Sequence, residues 1–154
     1  MAPIELHSSA FEDGKRIPDE YGYTAANVNP PLTIEEVPPE AESLALIVDD
    51  PDAVEPAGTI WDHWVVWNIP PDATSIPEEW DASDAVEGRN DYGEMGYGGP
   101  NPPDREHTYR FRLVALSGTV DLASGATVSD LEEKLEGLVI DQTTLEGTYS
   151  PTQG

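Results

Sequence analysis

Residues 61–70 read Trp-Asp-His-Trp-Val-Val-Trp-Asn-Ile-Pro, and this stretch decides the fold class. Its aromatic and β-branched residues predict a β-strand. Because both alternating faces of the strand are apolar, we expect an inner strand that is buried on both sides. His63 is a titratable group inside it, which is costly to bury unless it is hydrogen-bonded. Strict alternation places His63 on the face of three apolar residues, Val65, Trp67 and Ile69.

Short strand patterns bounded by proline and glycine continue along the chain, which has 15 prolines and 13 glycines. The clearest are 43–49 and 108–116, and weaker ones lie at 4–7 and 139–149. This spacing predicts a mainly β fold, an antiparallel, Greek-key-like β-sandwich of two sheets. With 154 residues, no internal repeat and no linker, we expect residues 1–154 to form a single domain.

A helical pattern stands out near the C-terminus, so we expect one or two short helices there. Apolar residues at helical spacing predict a helix over 129–136. Ser129 and Glu132 would form a capping box at its start. Gly137 would end it, since glycine readily adopts the left-handed conformation after a helix.

The charge is extreme, because seven basic residues against 31 acidic ones give a formal net charge of −24. The acids are dispersed along the chain, which predicts a folded, halophilic domain with an acidic surface. Such a chain repels nucleic acid and anionic membranes. The chain has no cysteine, and it shows neither a signal-peptide pattern nor an apolar run long enough to span a bilayer. We therefore expect a cytoplasmic protein with no stable membrane insertion.

Strand alternation brings candidate site residues together. Asp50 continues the apolar face of the strand before it, and His107 shares a face with Tyr109. Asp52, His63 and a Gly/Pro loop at 96–103 complete a set of two carboxylates, two imidazoles and one phenol. Three chemistries fit this set: binding of a small anion by imidazole, phenol and loop N–H donors, binding of a divalent metal, or acid–base hydrolysis.

Ordinary structural roles also fit the same residues. An Asp-Pro-Asp segment is most often a turn, and a strand histidine is most often a hydrogen-bonded core residue. The loop glycines do not have nucleotide-binding spacing, and the nucleophile-elbow, zinc-protease and phosphate-loop motifs are absent. The residues alone leave the three chemistries open.

Four motifs in order resemble the phosphatidylethanolamine-binding protein family, also called Raf kinase inhibitor-like proteins, in its short bacterial and archaeal form. They are Asp-Pro-Asp-Ala at 50–53, His-Trp-Val-Val-Trp-Asn-Ile-Pro at 63–70, Gly-Gly-Pro-Asn-Pro-Pro at 98–103 and His-x-Tyr-x-Phe at 107–111. Flanking segments at 9–18, 29–32 and 145–149 extend the resemblance over nearly the whole chain. The resemblance implies a β-sandwich with a small anion pocket at one end. By position it assigns to that pocket Asp50, Asp52, His63, Gly98, Gly99, Pro100, His107 and Tyr109.

The sequence departs from the family pattern at a few places. Val54 replaces the usual proline after the Asp-Pro-Asp-Ala motif, and Asn101 stands where short members often have cysteine. Thr108 replaces the usual arginine between the pocket histidine and tyrosine, which removes a fixed cation, although Arg105 is nearby. Ile34 replaces a tryptophan that contributes to packing.

Our leading hypothesis is a non-enzymatic protein that binds a small phosphate-like anion, such as a phospholipid head group, without cofactor or metal. The carboxylates would favour protonated imidazoles that donate to the anion, so that affinity rises as the pH falls. One alternative is a regulator that binds and inhibits a kinase or protease. Another is a metal-dependent or acid–base hydrolase that uses the same pocket. A protein partner and a homodimer are possible under each hypothesis.

We predict that the melting temperature rises steeply between dilute buffer and molar potassium chloride. Salt screens repulsion among the surface carboxylates, since the Debye length falls from about 30 Å at 0.01 M to about 3 Å at 1 M. Thermal unfolding followed by circular dichroism measures this, with sucrose as a control that does not screen charge. An unchanged melting temperature would argue against adaptation to salt.

Overall fold

The computed structural model describes residues 3–53, 60–82, 84–102 and 105–150. Val54 and Pro103, which figured in the motifs, lie outside these ranges. Nine strands are described: β1 (Glu5–His7), β2 (Lys15–Arg16), β3 (Leu32–Glu35), β4 (Ser43–Asp50), β5 (Trp61–Ile69), β6 (Ser75–Ile76), β7 (Val86–Glu87), β8 (His107–Leu116) and β9 (Val139–Tyr149). One α-helix, α1 (Val128–Leu135), precedes β9, and Asp19–Tyr21 and Pro51–Ala53 form 3-10 turns.

The strands form two sheets, as the sequence predicted. One sheet has six strands in the order β2-β9-β8-β4-β5-β7, and the other has three in the order β1-β3-β6. Neighbours pair antiparallel except β2 and β9, which are parallel. All eight residues of β4 are buried, and β5 lies between β4 and the short β7. This inner position explains why both faces of β4 and β5 are apolar.

Two apolar clusters cover the two faces of the larger sheet. One contains Leu46, Trp64 and Phe111 and includes apolar residues of the smaller sheet such as Ile34. The other contains Ile47, Val65 and Trp67 and is closed by one face of α1. The strand ends that carry the candidate site belong to the sheet shared by both clusters. Among the described helices, none is long and apolar enough to cross a bilayer.

The helix begins one residue earlier than predicted, and its cap is different. The N-cap is Thr127, whose hydroxyl accepts from the N–H of Asp130 while the Asp130 carboxylate accepts from the N–H of Thr127. The predicted capping box of Ser129 and Glu132 is wrong, because buried Val128 already belongs to the first turn. Gly137 follows the C-cap with φ +83°, which agrees with the predicted end.

A β-bulge at Asn68 breaks the alternation of β5. Leu44 pairs with Ile69 and Leu46 pairs with Val66, so that one residue of β4 faces two of β5. Asn68 has φ +57°, and its side chain donates to the Val120 carbonyl at 2.9 Å and accepts from the Val120 N–H at 2.7 Å. The bulge turns Ile69 into the cluster between the sheets. The predicted shared face of Ile69 with Val65 and Trp67 is therefore wrong.

We predict that Asn68→Gly lowers the unfolding free energy by about 1–2 kcal/mol, because two hydrogen bonds are lost. Asn68→Ala should cost about 1 kcal/mol more, since alanine is strained at positive φ. Chemical denaturation of both variants separates the two effects. Equal stability of the two variants would show that backbone strain at this bulge is unimportant.

Candidate functional site

The candidate site lies where β4 ends and β8 begins, beside the first half of β5. The His107 Nδ1 lies 2.6 Å from Asp50 Oδ2, and both side chains are buried. The rings of His63 and Tyr109 meet edge to face with 5.1 Å between centroids. Residues from strands β4, β5 and β8 are thus brought together. Alternation and the family resemblance predicted this for Asp50, His107 and Tyr109.

His63 reaches this group through a second irregularity in β5. Val48 pairs with Trp64 and Asp49 pairs with Asp62, so that His63 has no partner in the register with β4. The irregularity turns its ring toward Tyr109 and away from the α1 side, where Val65 and Trp67 pack. The predicted face of His63 was therefore wrong, although its membership of the site was expected.

The two aspartates of the Asp-Pro-Asp segment have different roles. Asp50 Oδ1 accepts from the Asp52 N–H at 2.9 Å, while its Oδ2 contacts His107. Asp52 Oδ2 accepts from the N–H of Thr108 at 2.8 Å. Asp52 therefore joins the 3-10 turn after β4 to the start of β8 and holds Asp50 and His107 in register.

The loop wall is built by close backbone packing around Gly98 and Gly99. The Gly98 carbonyl accepts from His63 Nδ1 at 2.8 Å, and its N–H donates to the His63 carbonyl at 2.8 Å. A Cβ on Gly99 would lie 2.1 Å from the Tyr21 carbonyl oxygen, so a side chain there would clash. The Gly99 N–H donates to Asn27. These two loop N–H groups are occupied, which contradicts the expectation that they would donate to an anion.

Pro100 completes this wall and ties it to the segment near residue 23. Its carbonyl accepts from the Tyr23 N–H at 2.9 Å. The Tyr92 hydroxyl donates to the Gly99 carbonyl at 2.8 Å and holds the wall from the other side. The loop is therefore fixed by contacts with several segments before any ligand is considered.

An aromatic group around Tyr92 was missed by sequence reasoning. The Tyr92 ring stacks on Tyr23 with 3.8 Å between centroids and meets the edges of His63 and Trp61 at 5.7 and 5.6 Å. Tyr92 follows Asn90, whose side-chain oxygen accepts from the N–H of Tyr92 in a tight turn. Because the residue lies in a turn, strand alternation carries no signal for it.

Burial decides the protonation of His63. Desolvation lowers the pKa of His63 to about 4, and hydrogen bonds to the backbone of Gly98 and Gly99 only partly oppose this. A carbonyl can only accept, so the neutral ring carries its hydrogen on Nδ1. The expectation that carboxylates keep the imidazoles protonated is wrong for His63. At the contact of His107 with Asp50, burial raises the pKa of Asp50, and the hydrogen bond and charge of His107 oppose that rise.

The Tyr109 hydroxyl is buried and lacks a hydrogen-bond partner within the described residues. Burial, the charge of Asp50 and the approach of the hydroxyl to that carboxylate raise the pKa of Tyr109 far above its ordinary value, whereas the Asn101 backbone opposes that rise. The hydroxyl therefore keeps its proton and can donate it. A buried polar group without a partner is rare in native structures and often marks a place that a ligand or water completes.

Among the described residues, no group of three metal-ligating atoms converges at this site. Both imidazole Nδ1 atoms are already hydrogen-bonded, to Asp50 and to Gly98. Within the described part of the chain, the ligand atoms that do converge are those of Glu5, His7 and Glu35, on the exposed face of the smaller sheet. Arg105 is exposed and donates to the Glu106 carbonyl.

Comparisons with known proteins agree with the motif pattern. The profile of the family described as phosphatidylethanolamine-binding protein matches residues 7–150. A UPF0098 protein of Methanothermobacter thermautotrophicus is 45% identical over 151 residues, which cover 95% of this chain and 98% of that protein. Among solved structures, a phosphatidylethanolamine-binding protein homologue of Chlamydia trachomatis is 38% identical, with a TM-score of 0.90. The match covers 97% of this chain and 99% of that one. YbcL of E. coli, described as a member of the mammalian PEBP family, is 30% identical, with a TM-score of 0.88. The match covers 99% of this chain and 100% of that one.

We predict that the ring of His63 titrates near pH 4 in the folded protein, well below the ordinary histidine value of about 6.5. Nitrogen-15 NMR in molar salt should show hydrogen on Nδ1 down to that pH, and the spectrum of His63→Gln assigns the signal. A midpoint near the ordinary value would mean that water or a charge reaches the ring.

Proposed function

The chain belongs to the phosphatidylethanolamine-binding protein family, and we propose that it is a non-enzymatic binding protein that holds a small phosphate-like anion beside Tyr109 and His63. The observation that carries this proposal is the buried Tyr109 hydroxyl, which has no hydrogen-bond partner among the described residues. Leaving such a donor unsatisfied costs about 1–3 kcal/mol. A ligand oxygen that accepts from it recovers this free energy.

The surrounding groups support a pocket that is formed before the ligand arrives. His63 is held by Gly98, His107 by Asp50 and the loop wall by Tyr92. Fixed side chains lose little conformational entropy when a ligand binds. Asp52 contributes by positioning the turn rather than by an oxygen left open for the ligand, since its Oδ2 accepts from Thr108.

The protonation states favour binding over catalysis. A general base acts best when its pKa lies near the working pH. Burial moves the pKa of His63 to about 4 and that of Tyr109 far upward, so neither group suits proton transfer at neutral pH. We keep four further points as predictions: the protein is not an enzyme, it is cytoplasmic, it has a protein partner, and it forms a homodimer.

We predict that the protein binds inorganic phosphate in molar potassium chloride and that Tyr109→Phe weakens binding by roughly 5- to 150-fold, the equivalent of about 1–3 kcal/mol. Isothermal titration calorimetry measures both affinities. Tyr149→Phe is the matched control, because its hydroxyl donates to the Asp19 carbonyl and does not belong to the site. Equal phosphate affinity of the wild type and Tyr109→Phe would refute a donor role for Tyr109, and no binding by the wild type would refute the anion pocket.

A further inference from the structure

A cluster of metal-ligating side chains lies on the outer face of the smaller sheet, away from the candidate site. Strands β1 and β3 pair antiparallel with Glu5 opposite Glu35, and His7 lies two residues further along β1. Between them, Leu6 and Ile34 point into the core. Alternation therefore places the two glutamates and the histidine together on the outer face.

The ligand atoms of these three residues already converge. His7 Nε2 lies 2.8 Å from Glu5 Oε1 and 3.6 Å from Glu35 Oε1. One ligand atom of each residue lies within 4.8 Å of the other two. Two ligands bound at about 2.0–2.2 Å to one tetrahedral ion lie roughly 3.3–3.6 Å apart. Small rotations of exposed side chains are therefore enough to bring all three atoms into coordination.

The two glutamates need a positive partner, and the smaller sheet contains no permanent one. Like charges directly opposite each other on neighbouring strands destabilise a sheet. Strands β1, β3 and β6 contain neither lysine nor arginine, and the sequence has none between Arg16 and Arg89. Within this sheet, the compensating charge comes from a protonated His7 or from a bound cation.

The donor set decides which cation fits. Imidazole nitrogen suits zinc, copper and nickel ions, whereas magnesium and calcium ions take oxygen ligands. Three protein ligands drawn from imidazole and carboxylate, with water in the fourth position, form a coordination that Zn²⁺ accepts. We therefore propose that Glu5, His7 and Glu35 bind a divalent transition-metal ion of the zinc class. This site is separate from the anion pocket proposed above and does not depend on it.

The bound ion ties an edge strand to its neighbour. Strand β1 has three residues and lies at the edge of the smaller sheet, where it pairs with β3. It supplies Glu5 and His7, and β3 supplies Glu35, so coordination links segments that are distant in the chain. The ion binds the folded protein more tightly than the unfolded chain, in which Glu35 is not held near the other two ligands. Its binding therefore stabilises the fold.

Calorimetric titration of zinc chloride into metal-free protein in molar potassium chloride tests the proposal. Molar salt screens the diffuse attraction of cations to a chain with a net charge of −24. We expect one zinc ion per chain and a higher melting temperature of the zinc-saturated protein. Excess magnesium chloride should not displace the zinc, because magnesium competes poorly for an imidazole nitrogen.

Two ligand variants and one matched control locate the site. His7→Gln and Glu35→Gln should each weaken zinc binding at least about tenfold, since even the loss of an outer-shell partner costs about 10- to 100-fold. Glu133→Gln removes one exposed charge from α1, which packs on the other face of the larger sheet, and should leave the affinity unchanged. A circular dichroism melt of each variant checks that it is folded.

Nitrogen-15 NMR of the wild type tests the ligand atom without any substitution. The chain has three histidines, and His63 and His107 are buried. Zinc coordinates the neutral ring and competes with a proton for the same nitrogen. Zinc should therefore shift the Nε2 signal of His7 and leave the signals of the two buried rings in place.

The outcomes separate this site from the anion pocket. Zinc binding that is weakened in both ligand variants but not in Glu133→Gln supports the proposal. Equal zinc affinity of the wild type and His7→Gln, or no saturable binding by the wild type, would overturn it and leave a protonated His7 as the partner of the glutamates. Shifted signals of His63 or His107 in place of His7 would also overturn it. Phosphate binding enters none of these results.

Discussion

Two adjacent carboxylates at the end of the central strand β4 constrain the rest of the structure. Asp49 and Asp50 are 1% and 3% exposed, and they point to opposite faces of the sheet. A buried carboxylate is stable only with a partner, and strand β8 supplies one for each. Arg110 holds Asp49 through Nε at 2.8 Å and Nη2 at 2.9 Å, and His107 holds Asp50. A slip of β8 by one residue would turn these partners to the wrong faces, so the two pairs fix the register.

The same constraint sets the electrostatics of the candidate site. The permanent cations Arg110 and Arg112 both lie on Asp49, on the face of the sheet covered by α1. On the other face, Asp50 pairs with an imidazole, which is charged only when it is protonated. The site therefore has hydrogen-bonding groups and titratable charge but no permanent cation against Asp50.

Periodicity predicted the parts of the site that lie on regular strands. Asp50, His107 and Tyr109 were predicted together because β4 and β8 alternate without interruption up to the site. Alternation failed in β5, where the irregularities at His63 and Asn68 each shift the faces by one residue. The sandwich itself was predictable, since short apolar strands between prolines and glycines have few other arrangements.

The remaining parts of the candidate site depend on contacts between segments that are distant in the chain, and one sequence does not reveal such contacts. Tyr92 was missed because a turn places it, and its partners Tyr23 and Trp61 come from other segments. The family resemblance supplied Gly98 and Gly99 as members of the wall. It did not reveal that both N–H groups are already used within the protein.

Two groups at the strand ends, His63 and Asp62, change the stability of the fold with pH in opposite directions. Burial lowers the pKa of His63 to about 4, so between pH 4 and its ordinary value the unfolded chain binds more protons than the folded protein, and stability falls as the pH falls. Burial and repulsion from Asp91 and Asp49 raise the pKa of Asp62 to about 7, so in the same range the folded protein keeps a proton that the unfolded chain loses. Asp62 therefore favours folding as the pH falls, to a degree that solvent screening reduces because the residue is only partly buried. Since the two effects oppose each other, the fold tolerates the acidic range better than His63 alone would allow.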